Sequence, residues 1–204
     1  MNEQDAFDEQ GVEGNTRLTS TNAAVIFVLL AIEGVTVLEV SSMLRLHVFV
    51  GLLLVPPVLL KIGTTTYRAA RYYLGTEAYA RRGPPPLVLR LLGPFIVIST
   101  VTVLATGVAL LALGPDHRSP WLMIHKISFV LWFAAMTVHV LGHLAETIRS
   151  APLDWRPRPA TRVRGAGIRR VAIVATLVTG IALGLVVQPT VTDWGARVDK
   201  SEQR

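Results

Sequence analysis

Histidine is the residue type here that could do redox or metal chemistry, and its spacing is specific. The stretch from Ser119 to Arg149, SPWLMIHKISFVLWFAAMTVHVLGHLAETIR, is long and apolar enough to cross a membrane, yet it carries His125, His139 and His143. Ionisable groups at that depth are rare and mark functional sites. His139 follows His125 by 14 residues, roughly 21 Å along a helix rising 1.5 Å per residue. At about 100° per residue, that step returns to within roughly 40° of the same face. Such a helix presents two imidazoles near opposite leaflets. It can supply axial ligands to a haem iron if a second helix faces it with a histidine at matching depth.

His47 meets that requirement. It lies six residues after Ser41 at the start of one apolar segment, and His125 lies six residues after Ser119 at the start of another. If both segments run in the same direction, the two imidazoles share a depth and can bind a haem iron from opposite faces. Gly51, one turn from His47, leaves room for a flat macrocycle. Arg45 and Lys126, each close to a histidine, are candidates to approach its propionates. No equivalent partner exists for His139: the position 14 residues after His47 is Lys61, normally protonated and a poor haem ligand. One haem is expected, with His139 a candidate for a second. A different reading joins His139, His143 and Glu146, whose H-x3-H-x2-E spacing could hold a metal such as zinc. In a third, the two histidines bond neighbouring helices or line a proton or quinone pocket.

The elements that must position these groups are legible. The chain has 204 residues, 51% of them hydrophobic, and a mean hydropathy of +0.47. Five apolar segments approach the length needed to span a bilayer, at about 22–40, 43–62, 91–113, 120–148 and 168–187. The expected fold is an all-α integral membrane bundle with a four-helix haem-binding core. Ser119, Pro120 and Trp121 suit the cap, first position and interface of the fourth span. Residues 1–21, with Glu3, Asp5, Asp8, Glu9 and Glu13, read as a disordered acidic tail. They lack the basic start of a signal peptide. Residues 188–204 read as a polar tail. Pro56-Pro57 should bend the second span and free carbonyls. The sequence TTTYRAARYYLGTEAYARR in the first basic loop suits an amphipathic surface helix, and Pro84-Pro85-Pro86 stiffens the approach to the third span. Gly180-x3-Gly184 offers a helix-packing face. Glu33 is deep enough in the first span to need a partner, a histidine or arginine among the choices. Glu39 and Arg45 suit an interfacial pair.

The net charge of +6 comes largely from two arginine-rich loops, about 63–90 and 149–170. With five spans both loops fall on one side, which the positive-inside rule makes cytoplasmic. The N-terminus is then inside and the C-terminus outside. The loops are topology determinants and binders of anionic lipid. No nucleic-acid partner is expected. The absence of cysteine excludes disulfides, cysteine-ligated iron–sulfur clusters and haem attached through C-x-x-C-H. The richness in arginine, alanine, valine and leucine suggests a GC-rich bacterial genome and an inner-membrane location.

From His47 to His143 the chain resembles the membrane-bound b-type cytochromes of the broad cytochrome b superfamily, including hydrogenase cytochrome b subunits. The resemblance rests on His47 with Gly51, on Gly93 and Gly107 (14 apart, as glycines facing haem can be), and on His125 with His139. It implies haem b held by His47 and His125, with His139 matching half of a second pair. It further implies single-electron transfer as a subunit or module of a larger oxidoreductase, with a redox protein or quinone as partner and oligomerisation open. The rival expectation is a cofactor-free scaffold, assembly factor or proton-linked carrier with structural histidines.

Overall fold

The computed structural model describes residues 3–83, 86–155 and 163–202. It is an all-α bundle, with no strand among the described residues. The elements run α1 (Glu3–Leu38), α2 (Val40–Tyr73), α3 (Glu77–Arg81), α4 (Leu87–Leu113), α5 (Arg118–Ser150) and α6 (Ala166–Glu202). Every one except α3 is long and apolar enough to cross a membrane, so this is a multi-pass membrane protein. Exposed apolar side chains such as Phe27, Ile98, Leu131, Phe133 and Val186 cover its flanks, where lipid replaces the water they would otherwise face.

Several elements exceed the apolar segments that seed them. α1 has 36 residues, about 54 Å at 1.5 Å per residue, well beyond the hydrocarbon thickness. Its first turns are the acidic stretch expected to be disordered. They are helical because partners in the basic loops fix them. Arg17 bonds Glu13 at 3.0 Å and Asp154 at 3.4 Å, and Arg169 Nη2 bonds the same Asp154 at 2.8 Å. Arg82 reaches Thr16 at 2.7 Å and Glu13 at 3.0 Å. Arg17 and Asp154 are each only 4% exposed. Composition measures one segment's own cohesion and misses charge complementarity supplied from elsewhere in the chain. The expected C-terminal tail is also helical to Glu202. It is held by buried Val191 and by Trp194, which donates to the Leu110 carbonyl at 3.3 Å. The expected surface helix is instead a continuation of α2 to Tyr73, followed by a turn and the short α3. Pro84, Pro85, Arg156, Arg158 and Arg162 lie outside the described residues.

The chain reverses between α1 and α2 at Glu39, with a second break in helical geometry at Met43. It reverses between α4 and α5 at Gly114, whose φ of +77° suits glycine, and a 3-10 turn at Pro115–His117 follows. α5 therefore starts at Arg118, with His117 rather than Ser119 at the cap position. α2 stays helical through Pro56 and Pro57. Pro57 has no N–H for the Leu53 carbonyl four residues earlier. Gly180 of α6 fills that gap: a Cβ on it would sit 2.6 Å from Leu53 O. A Cβ on Gly184 would lie 2.5 Å from the Phe49 ring. The Gly180-x3-Gly184 face thus brings α6 onto α2 as expected. α1 packs on the same helix through Leu29, Val50, Leu53 and Leu54. α4 pairs with α5, while α1 against α5 joins the two groups. α2 and α5 hardly meet along their backbones.

Candidate functional site

The gap between α2 and α5 is bridged by His47 and His125, whose ring centroids are 6.4 Å apart with planes at 85°. The two histidines that the sequence sets at one depth thus face each other directly.

Each ring is aimed by the helix preceding its own. On α1, Glu33 Oε1 lies 3.0 Å from His47 Nδ1, and Thr36 Oγ1 lies 3.0 Å from the same nitrogen. Thr36 is wholly buried and donates its hydroxyl proton back to the Glu33 carbonyl at 2.7 Å, so its oxygen remains free to accept. On α4, the Val103 carbonyl lies 3.1 Å and Thr106 Oγ1 3.0 Å from His125 Nδ1. Thr106 likewise donates to its own helix, at the Thr102 carbonyl, 2.7 Å away. The arrangement is the same twice: an acceptor and, three residues on, a threonine, together receiving one Nδ1–H. A carbonyl can only accept, so His125 carries its proton on Nδ1, and the Glu33 carboxyl oxygen 3.0 Å from His47 Nδ1 supports the same tautomer there. Among the described residues, neither Nε2 has a hydrogen-bond partner.

Two imidazoles so fixed can hold one metal between them. A bond of about 2.0–2.1 Å from metal to each nitrogen, plus about 1.1 Å from nitrogen to ring centre, separates the centroids by about 6.3 Å. The observed centroid distance, 6.4 Å, is close to that value. The remaining ring N–H donated to a carboxylate or backbone carbonyl is the usual support of a metal-ligating histidine.

The flanking residues fall differently from the sequence expectation. Gly51 backs onto Glu33, whose Oε1 would be 3.6 Å from a Cβ placed there. The group lying against Gly51 is thus this carboxylate, at ordinary contact distance. Gly107 makes room for the His125 ring, 3.3 Å from such a Cβ. Gly93 has nothing within 4 Å of a Cβ. Arg45 is exposed and exchanges hydrogen bonds with Gln188, at 3.3 and 3.2 Å. It is drawn toward α6 instead of toward Glu39 or the histidine pair. Lys126 is exposed.

Nearer the basic loops, the His139 and His143 rings have centroids 4.8 Å apart with planes tilted by 56°. His143 Nδ1 is 3.7 Å from Glu146 Oε2. These three do not converge on a common point, and no set of three His, Cys, Asp or Glu side chains among the described residues could hold a metal ion. The zinc-type reading is therefore corrected: neighbours at i, i+4 and i+7 on one helix contact and pair along it, and among the described residues no second helix brings a further donor. Lys61 donates to the Thr19 carbonyl at 3.1 Å and is close enough to His139 and Glu146 to interact electrostatically.

Sequence reasoning reached His47, His125 and Glu33 but missed Thr36, Val103 and Thr106. The available signal was a threonine facing a histidine's expected depth on the preceding span. In an apolar segment with several threonines, only the packing singles out which one. No protein-family model, no curated protein and no solved structure matches this chain.

Proposed function

We propose that this protein is a membrane-bound b-type cytochrome that passes single electrons through one haem held by His47 and His125. The observation that carries the reading is the pair itself: two imidazoles 6.4 Å apart, each anchored through Nδ1 by another helix, each with Nε2 unpaired. Haem b, when bound, supplies the one-electron chemistry; the protein supplies orientation, a dry setting and charge. His47 and His125 would hold the haem iron, an arrangement that would favour electron transfer over binding of small molecules at the iron. Glu33 holds His47 in the ligating tautomer and places a negative charge beside it. Val103 and Thr106 do the same for His125 without charge, so the two sides of the site differ electrostatically. Thr36 and Thr106 receive the ring protons without competing for them, because each has given its own to a backbone carbonyl.

The likeness of His47, Gly107, His125 and His139 to the spacing of cytochrome b proteins supports the same reading. The arginine-rich loops support an orientation with the basic end and N-terminus in the cytoplasm of a bacterial cell and the C-terminus outside. A redox protein or quinone would exchange electrons with the site, and the chain would work as one module of a larger oxidoreductase.

The test is an optical spectrum of purified protein, oxidised and dithionite-reduced, with pyridine haemochrome quantitation. The expected result is a low-spin b-type spectrum with about one haem per chain, abolished by His47→Ala or His125→Ala and spared by His143→Ala. A second reading draws on the 3.0 Å Glu33–His47 contact, which in a cofactor-free protein would be a proton-relay pair. A colourless preparation that takes up no added haem would favour it and overturn the cytochrome.

A further inference from the structure

The seam between α1 and α2 near the basic end holds polar groups in a regular ladder. Asn15 Nδ2 donates to Thr64 O at 3.3 Å. One turn deeper, Lys61 Nζ donates to Thr19 O at 3.1 Å. Deeper again, Asn22 Nδ2 donates to Pro57 O at 2.7 Å. Positions 15, 19 and 22 share one helix face and together span about 10 Å along α1.

Each rung leaves an oxygen over. Asn15 Oδ1, Thr19 Oγ1 and Asn22 Oδ1 are all shut off from solvent and have no protein partner. So is His139 Nδ1 on α5, which is near enough to Lys61 to interact with it electrostatically. Asn22 as a whole is 0% exposed. Lys61 adds to the set, because an ammonium has three donors and the Thr19 carbonyl takes one. A buried polar atom left unpaired costs free energy comparable to a lost hydrogen bond. Three such oxygens in one file, with the spare ammonium donors of Lys61 among them and an unpaired imidazole nitrogen within electrostatic reach of that lysine, have matching needs that they do not meet directly. Water, donor and acceptor at once, meets them. The file is graded: Asn15 and Thr19 are partly exposed, Asn22 is not. It is closed at its inner limit by Leu29, Val50, Leu53 and Leu54, which separate it from Glu33 and His47.

We infer that the α1–α2 seam is a hydrated half-channel: a short file of ordered waters that enters at the basic end, passes Asn15, Thr19 and Asn22, and delivers protons to His139. Each water gives up one proton as it receives another, so charge moves with no co-reactant. The charged and titratable groups facing His139 are Lys61 from α2 and His143 from its own helix. Beyond them, Glu146 interacts with Lys61, Arg68 and Arg82. Protons thus arrive at a polar cluster at membrane depth from one side only.

The experiment is pulsed hydroxyl-radical labelling of the full chain in lipid nanodiscs, read by mass spectrometry and normalised for each residue's intrinsic reactivity. Radicals born from bound water oxidise the side chains beside it. Pro57 and His139 are expected to label several-fold faster than Leu53 and Leu54, one turn deeper. Thr19→Val, which removes the hydroxyl and keeps the shape, is expected to lower labelling at both, and Thr19→Ser to restore it. Equal labelling of Pro57, His139 and the two leucines overturns the hydrated seam. A Thr19→Val protein with unchanged labelling overturns the file through Thr19. In 15N-histidine protein, exchange of the His139 ring proton with water is expected to slow in Thr19→Val; unchanged exchange overturns the proton role. None of these readouts needs haem, so they fail or succeed separately from the cytochrome reading.

Discussion

Asp154 is the hinge of the basic-end clasp, and replacing it with alanine tests how α1 is held. Its carboxylate sits between Arg17 and Arg169 and is 4% exposed, so solvent screening offers little relief. Removing one partner of a buried ion pair costs about 3–5 kcal/mol. Here each arginine keeps a second acceptor: Arg17 retains Glu13 at 3.0 Å, and Arg169 retains the Arg164 carbonyl at 2.7 Å. The lower end, about 3 kcal/mol, is therefore expected. At 1.4 kcal/mol per tenfold, this opens the clasp about 100-fold more often. Native-state hydrogen exchange of the full chain in nanodiscs reads that opening directly. Amides of residues 12–21 are expected to be protected in the parent protein and to exchange about two orders of magnitude faster in Asp154→Ala, given that conversion. Amides of α4 should not change. Exchange of residues 12–21 at the rate of an unstructured peptide in the parent would refute the reasoning, as would an alanine variant with unaltered protection.

The same contacts imply other outcomes. Glu33→Gln keeps the shape of the His47 support but replaces its carboxyl group; for the proposed haem, retention is expected to weaken about 10–100-fold, the usual effect of losing such outer contacts. The midpoint potential should rise, because a negative charge that favoured the oxidised iron is gone; redox titration checks both. Gly107→Val drives a side chain into the His125 ring, already 3.3 Å from the first carbon. It should lower haem content without abolishing expression. Gly180→Ala places a methyl 2.6 Å from Leu53 O and 2.9 Å from Leu53 Cα. Backbone cannot swing aside as a side chain can, so destabilisation of about 1–3 kcal/mol is expected, read as a lower melting temperature in detergent. Gly195→Ala, with nothing within 4 Å of the new carbon, is the matched control.

What the sequence made legible and what it hid separate along a physical line. Apolar runs, the glycine face of α6 and the equal depth of His47 and His125 follow from periodicity and length, which are properties of single segments. The N-terminal turns of α1 do not. Their acidity looks like a reason for disorder until Arg82, Asp154 and Arg169 are brought beside them by other segments. The same holds for Thr36 and Thr106, whose importance depends on which way their helices are rotated. Gly51 reads as room for a macrocycle and Gly107 as a glycine facing haem, but the groups beside them are a carboxylate and an imidazole, because the histidines and Glu33 pack against their own helical neighbours first.

That last arrangement bears on how the protein is made. His47 takes its support from residues 11 and 14 positions earlier, and His125 from residues 19 and 22 positions earlier. Neither ring depends on a distant segment for its aim. Each helical hairpin can therefore finish its half of the site as it leaves the ribosome and enters the bilayer, before the other half exists. Contacts so close in sequence form early and cheaply. What remains for the late stage of assembly is the approach of two prepared hairpins, with α6, which follows both in the chain, locking the first of them through its glycines.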